Sequence, residues 1–368
     1  MTSTGTKLTS NLKNYGRSLL PPFSAHGHNE DIRGFADLEA VVQTGVLDPA
    51  VLAKHLRGNS LGGANGDAVK EVEVRGVLKH HVGKRCTLEI ALRTECGWQL
   101  LIAKIYRKDH SDVFETMERI RLAGFSAKDE FSIPQPLAYI GTLECLLEEK
   151  VEGTPAEVVF KTGDELKRAA AAKRCAMWLA QFHAQAPKAG LRTDANDHLN
   201  SKSMQRYSRE IAERGGQFAG KVAYLHQRLE DLLPSLSPAE LCAGHGSYSA
   251  AHVMLSEGRT VVIDWDGCDL ADPARDVARF LAALRRPALG RLGSIRALDG
   301  TAEVFLNTYL AAGNPEVKKN LRFFEAATCL NLAKHTLCRP GPCPKAKQDK
   351  VEAMLDEGLR IVEGRDSP

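Results

Sequence analysis

The order of apolar and polar residues predicts two kinds of structure along the chain. In "CTLEIALRT", Leu88, Ile90 and Leu92 alternate with polar residues, which is the period-two pattern of a half-buried strand. "QLLIAKIY" follows across a Glu-Cys-Gly turn and is predicted to be its hairpin partner. We therefore expect residues 71–152 to form a small antiparallel sheet with one inserted helix, "SDVFETMERIRLAGF".

Beyond Gly153 the apolar residues recur at helical spacing. Core-facing stripes are predicted at Ala172, Cys175, Leu179 and Phe182, at Val222, Leu225, Leu229 and Leu232, and at Val351, Leu355, Leu359 and Val362. Short strands are expected only around "HVML" and "TVVID". The pattern predicts an α+β protein with an N-terminal tail and helical extension (1–70), a small β-rich lobe (71–152) and a larger helical lobe (153–368).

Composition narrows the class of protein. The 368 residues are 43% hydrophobic and 26% charged, with a net charge of +3, which is too small to indicate nucleic-acid binding. No run approaches the length of a membrane span. Nine cysteines, an odd number, and no signal-peptide pattern favour reduced thiols in the cytoplasm. Residues 1–29 are interpreted as a solvated tail, with an organellar transit peptide as the weaker alternative.

Lys104 is the first candidate for chemistry. It lies in the middle of the apolar strand "LLIAKIY", where a lysine needs an anionic partner unless it is on the exposed face of the hairpin. A glutamate on the following helix, Glu115 or Glu118, could direct the ammonium at phosphate oxygens. The linker "LLEEKVEGTP", which contains Glu149 and Val151, could read an adenine edge through its backbone groups.

The strongest signal is the segment "GHGSYSAAHVMLSEGRTVVIDWDGCDLADPARDVARF" (244–280). Asp264 ends an apolar strand and is followed by Asp266, Asp269 and Asp272. Carboxylates at the end of a strand can hold a hard cation that bridges nucleotide phosphates. Turn-forming aspartates are the alternative, and they explain one or two of these residues better than the whole run.

These features, taken in chain order, resemble the aminoglycoside phosphotransferase / choline kinase-like family. The resemblance covers roughly residues 71–365 and rests on Lys104, the helix glutamate, His245-Gly246-x5-His252, Asp264 and "ADPARD". Members of that family usually show H-G-D-x4-N, then I-D-[FW]-[DE], then G-D-P-x-x-D. The resemblance implies a protein-kinase-like two-lobe fold, with ATP and Mg²⁺ (Mn²⁺ as the alternative ion) bound in a cleft between the lobes.

The resemblance also implies roles for single residues. Lys104 would bind the α- and β-phosphates, and Glu115 would form an ion pair that positions it, with Glu118 as the alternative partner. His245 would anchor the loop, Asp264 with Asp266 would bind the metal, and Asp272 and Asp276 would brace the helical lobe. The hairpin "HHVGKRC" replaces a glycine-rich phosphate loop, and its candidate phosphate contacts are Gly83, Lys84 and Arg85.

Two positions depart from the family pattern. Ser247 stands where the family has its catalytic aspartate, and His252 stands where it has a metal-binding asparagine. Loss of a general base costs about 10²–10⁴ in rate, although phosphoryl transfer depends mainly on positioning and charge. Imidazole is a poor ligand for Mg²⁺ but suits transition metals. His252 and Asp266 are the alternative bases.

The sequence therefore leaves several functions open. The first is an atypical phosphotransferase that binds ATP and phosphorylates a hydroxyl of an unidentified small molecule. The alternative is a catalytically dead pseudokinase that binds nucleotide or a peptide as a scaffold for a partner enzyme. Altered chemistry such as nucleotidyl transfer is a minor third possibility. The C-terminal segments have mixed charge and no clear acidic cluster, which argues against an aminoglycoside as the acceptor.

Overall fold

The structure, a computed structural model, divides the chain into two compact units. The first contains the described residues up to Glu115 together with Pro134–Lys150, and the second contains Thr116–Ile133 and the chain from Val151 onward. The described residues are 69–81, 84–95, 97–193, 200–339 and 341–364. The helical extension expected within residues 1–70 lies outside them.

The first part of the chain is mostly extended. In chain order it forms β1 (Glu71–His81), β2 (Arg85–Thr94), β3 (Gly97–Tyr106), α1 (Ser111–Leu122), β4 (Phe131–Ser132), β5 (Pro136–Ile140) and β6 (Cys145–Glu149). All of these strands except β4 join one antiparallel sheet in the order β1-β2-β3-β6-β5. The predicted β2–β3 hairpin is confirmed, with Leu88 opposite Ala103.

Period-two alternation gives this sheet one apolar face. Leu88, Ile90 and Leu92 of β2 pack with Leu101 and Ala103 of β3 in a single buried cluster. Successive side chains of a strand point to opposite faces. Their neighbours in sequence, including Lys104 of β3, therefore lie on the other face of the sheet.

The predicted inserted helix is present as α1, and its residues are shared by the two units. The two units divide within α1, between Glu115 and Thr116. The reason lies in the segment after the helix, because Phe125 packs against Trp178 and Phe182 of the second unit. Trp178 also donates its indole N–H to the Ser132 carbonyl oxygen at 3.0 Å.

The second unit is mainly helical. After Gly153 the chain forms β7 (Thr154–Pro155), α2 (Ala156–Thr162), α3 (Glu165–Gln185), α4 (Ser201–Arg214), α5 (Ala219–Leu232), β8 (Cys242–Gly244), β9 (Val253–Ser256), β10 (Arg259–Val262), β11 (Asp269–Ala271), α6 (Ala274–Leu292), α7 (Asp299–Ala312), α8 (Lys318–Leu337) and α9 (Lys345–Glu363). The predicted stripes on α3, α5 and α9 are confirmed, since most of their apolar residues are buried.

Short strands and aromatic rings position the loop that carries the chemistry. β4, β10, β9 and β7 form one small sheet, and β8 pairs antiparallel with β11. Trp178 of α3 stacks on Tyr248 at a ring distance of 5.8 Å, and Tyr248 stacks on Phe280 of α6 at 5.6 Å. Phe280 in turn stacks on Phe305 of α7. Tyr248 therefore ties the loop after β8 into the core of this unit.

Two further findings concern the thiols and the helices of the described chain. The described cysteines all carry free thiols, and most of them are buried. Burial raises the pKa of the Cys86 thiol to about 11, so this thiol is protonated at neutral pH. Among the helices that the structure describes, none is both long enough and apolar enough to cross a membrane.

Candidate functional site

Lys104 lies on the non-core face of the first unit's sheet. It is opposite Thr87 on β2 and Leu146 on β6. Its ammonium is 2.8 Å from Oε1 and 3.0 Å from Oε2 of Glu148, and the two side chains are only 6% and 4% exposed. The residues are diagonal neighbours on adjacent strands, a spacing that long side chains can bridge. The pair neutralises a lysine that would otherwise be costly to bury.

The expected tether of Lys104 was a glutamate on α1. Glu115 is exposed on that helix. Glu118 belongs to the second unit and accepts two hydrogen bonds from Arg121, both at 2.9 Å. The structure thus pairs Lys104 with Glu148 from the neighbouring strand, a residue that sequence reasoning did not name.

The other candidate nucleotide contacts are spread along the chain. Glu149 ends β6 and accepts the backbone N–H of Gln135 at 3.1 Å. Val151 is the partly buried residue at which the chain enters the second unit. Lys84 is exposed and Arg85 partly buried at the start of β2, and Gly83 lies outside the described residues. Their roles as nucleotide contacts stay predictions.

In the second unit, Asp276 holds the loop after β8. One carboxylate oxygen accepts the backbone N–H of His245 at 2.6 Å, and the other accepts that of Gly246 at 3.0 Å. Gly246 has a φ of 76°, a conformation that favours glycine. Burial alone would raise the pKa of Asp276, but the hydrogen bond from His183 and the charge of Arg275 hold it below its usual range. This carboxylate is therefore ionised and fixes the loop.

His245 and Ser247 form a hydrogen-bonded pair within this loop. His245 is fully buried, and its Nε2 is 3.0 Å from the Ile263 carbonyl oxygen. A carbonyl oxygen only accepts, so Nε2 carries the proton and Nδ1 is an acceptor, which takes the backbone N–H of Ser247 at 3.4 Å. The Ser247 hydroxyl is 3.3 Å from this Nδ1. The side chain at the family's catalytic position is thus oriented toward a basic nitrogen.

His252 is oriented by the same loop. Its Nδ1 is 3.0 Å from the Ser247 carbonyl oxygen, so Nδ1 donates and Nε2 keeps a lone pair. That Nε2 is 3.6 Å from Oδ2 of Asp264. Burial and the nearby His245 lower the pKa of His252 to about 4, although the Asp264 charge acts in the opposite direction. At neutral pH two electron-pair donors, an imidazole nitrogen and a carboxylate, therefore face each other.

Asp264 occupies an uncommon backbone conformation. Its φ is 71°, in the left-handed region, where it begins the turn Trp265–Gly267. Non-glycine residues in this region cluster at functional sites, since the surrounding structure must hold them there. Asp266, the second candidate metal ligand, is exposed in that turn. The strained residue is thus the one that faces His252.

These donors do not match magnesium well. Mg²⁺ prefers a near-octahedral shell of oxygen atoms, whereas imidazole nitrogen suits zinc and related transition metals. Here one of the two facing donors is nitrogen. In the part of the chain that the structure describes, no three His, Cys, Asp or Glu side chains are grouped to hold a metal ion. The site therefore does not fit a conventional magnesium centre.

Asp272 and Asp269 fasten this region to the helices. Asp272 accepts the backbone N–H of Ala274 at 2.8 Å, at the start of α6, and the side-chain amide of Asn320 at 2.7 Å. Asp269 is fully buried and forms a two-point ion pair with Arg275. Asp269 and Asp272 are therefore structural, and each has separate partners.

Sequence reasoning missed residues as well as Glu148. His183 of α3 lies with Nε2 3.4 Å from Asp276 and Nδ1 2.8 Å from the Tyr309 hydroxyl. Neither His183 nor Tyr309 belongs to a motif, and a lone histidine on a helix does not indicate a function by itself. Glu148 did carry a sequence signal, because it alternates with Leu147 and so lies on the same face of its strand as Leu146, opposite Lys104.

The chain matches known proteins by family and by fold. A family model described as the phosphotransferase enzyme family matches residues 91–317. No curated protein sequence is significantly similar to this chain.

Three solved structures illustrate the similarity in fold. A choline kinase from Cryptosporidium parvum Iowa II is 12% identical, with a TM-score of 0.57, and the match covers 86% of this chain and 96% of that chain. A choline/ethanolamine kinase family protein from Mesorhizobium loti is 14% identical, with a TM-score of 0.52, covering 89% and 98%. ADP-bound aminoglycoside phosphotransferase APH(2'')-Ib is 14% identical, with a TM-score of 0.50, covering 80% and 95%. The expected kinase-like α+β fold is confirmed.

The buried pair predicts an asymmetric response to mutation. Lys104→Met should lower the free energy of unfolding by about 3 kcal/mol, because it leaves a buried carboxylate without its cation. Lys104→Met/Glu148→Leu should recover most of this loss, since well-packed apolar residues can replace a buried ion pair. Urea unfolding of the three proteins measures both effects.

Lys150→Met is the matched control for this cycle. Its ammonium is 3.0 Å from Glu89 in the same unit, but those side chains are 26% and 21% exposed. We expect a loss of less than about 1 kcal/mol, as for other exposed pairs. A loss for Lys104→Met as small as that for Lys150→Met would contradict the account.

His252 predicts a pH dependence of stability. Its folded-state pKa lies below the unfolded value of about 6.5, so the unfolded chain binds more protons in acid. The stability of the metal-free protein should be full at pH 7, decline as pH falls from about 6.5 to 4, and level off below pH 4. With the side chain 24% exposed, we expect a loss on the order of 2 kcal/mol beyond that of His252→Asn. Parallel pH profiles for the two proteins would contradict this.

Proposed function

Because this chain belongs to the phosphotransferase enzyme family, we propose that it transfers the γ-phosphoryl group of ATP to a hydroxyl of a small molecule. The observation that carries the proposal is the loop after β8. Asp276 fixes its backbone, Ser247 is hydrogen-bonded to His245, and Asp264 is held in a left-handed conformation. Residues held in such a conformation cluster at functional sites, which favours a working site in this loop.

Nucleotide binding is assigned to two residues. The Lys104 ammonium would contact the phosphates of ATP, and Glu148 would hold it in position, as a carboxylate does for the phosphate-binding lysine of kinases. The ADP in the structure of APH(2'')-Ib supports the choice of nucleotide, since that protein has a similar fold. Glu149, Val151 and Gly83 stay candidate contacts to the rest of the nucleotide.

The reaction needs an acceptor for one proton. The substrate hydroxyl oxygen would attack the γ-phosphorus, and the bond to the leaving ADP would break. The hydroxyl proton would pass to Ser247 Oγ while the Ser247 proton moves to Nδ1 of His245, 3.3 Å away. Asp276 interacts electrostatically with His245 and would stabilise the imidazolium that results. Because the transition state is loose, this relay can be weaker than a carboxylate base and still support turnover.

His252 is the weaker choice of base. Its Nδ1 donates to the Ser247 carbonyl oxygen, and its only free lone pair points at Asp264. Burial also lowers its pKa to about 4, which makes it a poor proton acceptor at pH 7. The geometry supports His252 as a ligand of a cation, together with Asp264, and supports His245 as the terminal base.

The mixed donor pair also affects which metal ion accompanies the nucleotide. A nitrogen donor opposite a carboxylate favours an ion that accepts imidazole, such as Zn²⁺, over Mg²⁺. Manganese is the alternative ion that the sequence suggested. We therefore expect Mg²⁺ to be the weakest of the three in supporting ATP binding.

His252→Asn tests this expectation directly, because it supplies the oxygen donor that the family pattern has. Calorimetric ATP titrations with Mg²⁺, Mn²⁺ or Zn²⁺ should show the tightest binding with a transition metal in the wild type. In the variant the preference should shift toward Mg²⁺, by about tenfold in the ratio of dissociation constants. An unchanged metal preference in the variant would contradict the assignment of His252 as a ligand.

The second candidate function is a pseudokinase that binds nucleotide or a peptide and serves as a scaffold for a partner enzyme. The observation that favours it is Ser247, because a serine hydroxyl is a much poorer base than the aspartate of the family pattern. The two functions differ in whether bound ATP is consumed.

Variants at Ser247 separate them. Ser247→Ala removes the proposed relay, so the rate of phosphoryl transfer should fall by about 10²-fold. Ser247→Asp supplies a carboxylate and should raise the rate. Ser249→Ala, a serine in the same loop, is the matched control and should leave the rate within about threefold. ATP titration by calorimetry accompanies each assay, to separate binding from transfer.

The outcomes are distinct. ATP binding without transfer in the wild type, with transfer gained in Ser247→Asp, would establish the scaffold reading. No ATP binding with any of the three metal ions would remove the phosphotransferase proposal altogether.

A further inference from the structure

Helix α6 carries five arginines, and two of them, Arg275 and Arg285, form ion pairs with carboxylates. Arg275 pairs with buried Asp269. Arg285 pairs with Asp299 and Glu357, and Arg296 pairs with the same two acids. These are ordinary internal ion pairs, in which each buried charge is neutralised.

Arg279 differs from these two arginines. It is partly buried, and its closest polar contact is the neutral amide oxygen of Asn331, 3.4 Å from Nη1. Its Nε is shielded from solvent and makes no hydrogen bond. No carboxylate of the described chain forms an ion pair with Arg279. Leaving a shielded guanidinium without an anion is costly, so its retention suggests a function.

The position of Arg279 connects it to the loop that carries the proposed chemistry. It follows Asp276 by one helical turn, so both lie on the same side of α6. Arg279 also interacts electrostatically with His252. Asp276 attracts it at longer range, but that carboxylate is already engaged by the backbone N–H groups of His245 and Gly246.

More positive charge lies beyond Arg279 along the same face. Arg286 follows by seven residues, or two turns, and is exposed, and it interacts with exposed Arg339. Glu157 is the acid that faces Arg286 and offsets its charge in part. Burial and the repulsion from Arg286 lower the pKa of Arg279 to about 10, so Arg279 is still charged at neutral pH. Like charges on one face create a positive potential that attracts an anion.

We propose that Arg279 and Arg286 bind an anionic group, a carboxylate or a phosphate ester, on the molecule whose hydroxyl is phosphorylated. Guanidinium groups match both oxyanions through paired N–H donors. A polycationic acceptor, such as an aminoglycoside, would be repelled by this face. The inference rests on the proposed function for the identity of the ligand as acceptor, but the anion site can be tested without it.

The direct test is a titration of the metal-free protein with inorganic phosphate, with sodium chloride at the same ionic strength as the reference. A ligand that binds only the folded state raises the melting temperature in a saturable way. We expect this rise in the wild type, and a dissociation constant about 10- to 100-fold weaker in Arg279→Met, because a charge-assisted hydrogen bond is lost.

Matched variants keep the result interpretable. Arg291→Met removes the same charge from the exposed last turn of α6 and should respond as the wild type does. Arg279→Met should fold normally, since it replaces an unpaired cation with an apolar side chain of similar length. Arg286→Met, at an exposed position, repeats the test independently and should also weaken phosphate binding.

Several outcomes would overturn the proposal. One is a phosphate response that is unchanged in Arg279→Met and Arg286→Met. Another is a response that persists in both but is lost in Lys104→Met/Glu148→Leu, because phosphate would then occupy the proposed nucleotide contact. A wild-type response no larger than that to chloride would also overturn it.

An acceptor screen tests the assignment of the anion to the substrate. ADP release from ATP is measured with hydroxy acids and sugar phosphates in one panel, and with amino alcohols and amino sugars in the other. Turnover in the first panel, weakened in Arg279→Met, is expected. Turnover only with cationic acceptors would overturn the inference and leave the proposed function standing. Failure of ATP binding would remove the proposed function and leave the phosphate titration to judge the anion site.

Discussion

The site in the second unit depends on one carboxylate. Asp276 accepts two consecutive backbone N–H groups, those of His245 and Gly246, from the first turn of a long buried helix. A third contact comes from His183, which is itself fixed by the Tyr309 hydroxyl. Every proposed role in the loop follows from this anchor. The position of Asp276 determines where His245 points, and so which of its nitrogens faces Ser247. The Ser247 carbonyl oxygen, held in the same loop, then orients His252.

The two departures from the family pattern in this loop, Ser247 and His252, each make a contact that suits a chemical role. Ser247 is not an isolated loss, because its hydroxyl is directed at a nitrogen that can accept a proton. His252 is not simply a poor asparagine, because its free lone pair faces the Asp264 carboxylate. Under the proposed function, proton transfer would depend on His245, and cation binding would depend on the His252 nitrogen and the Asp264 carboxylate. The unpaired Arg279 extends this difference to the acceptor, since a positive face is unsuited to the cationic substrates of aminoglycoside phosphotransferases.

Much of this was predictable from sequence, and the remainder had a physical reason to be hidden. Alternation in β2 and β3 predicted the hairpin, and helical spacing predicted the core faces of α3, α5 and α9. A lysine in an apolar strand predicted an anionic partner, but strand register decides which acid can reach it, and register is not visible locally. Glu148 therefore escaped notice while Glu115 was favoured. Likewise "ARDVARFLAALRR" has the arginines of an ordinary amphipathic helix. Only the tertiary structure shows that Arg279, three residues after Asp276, is shielded and pairs with no carboxylate of the described residues.

Phosphoryl transfer can be observed directly by ³¹P NMR of ATP incubated with the protein, a divalent ion and a mixture of hydroxyl-bearing small acids. We expect a new phosphate monoester resonance that grows in step with ADP, with little inorganic phosphate. An ATP spectrum that stays unchanged over many hours, in a sample that calorimetry shows to bind the nucleotide, would contradict it. In that case the loop held by Asp276 would serve binding alone.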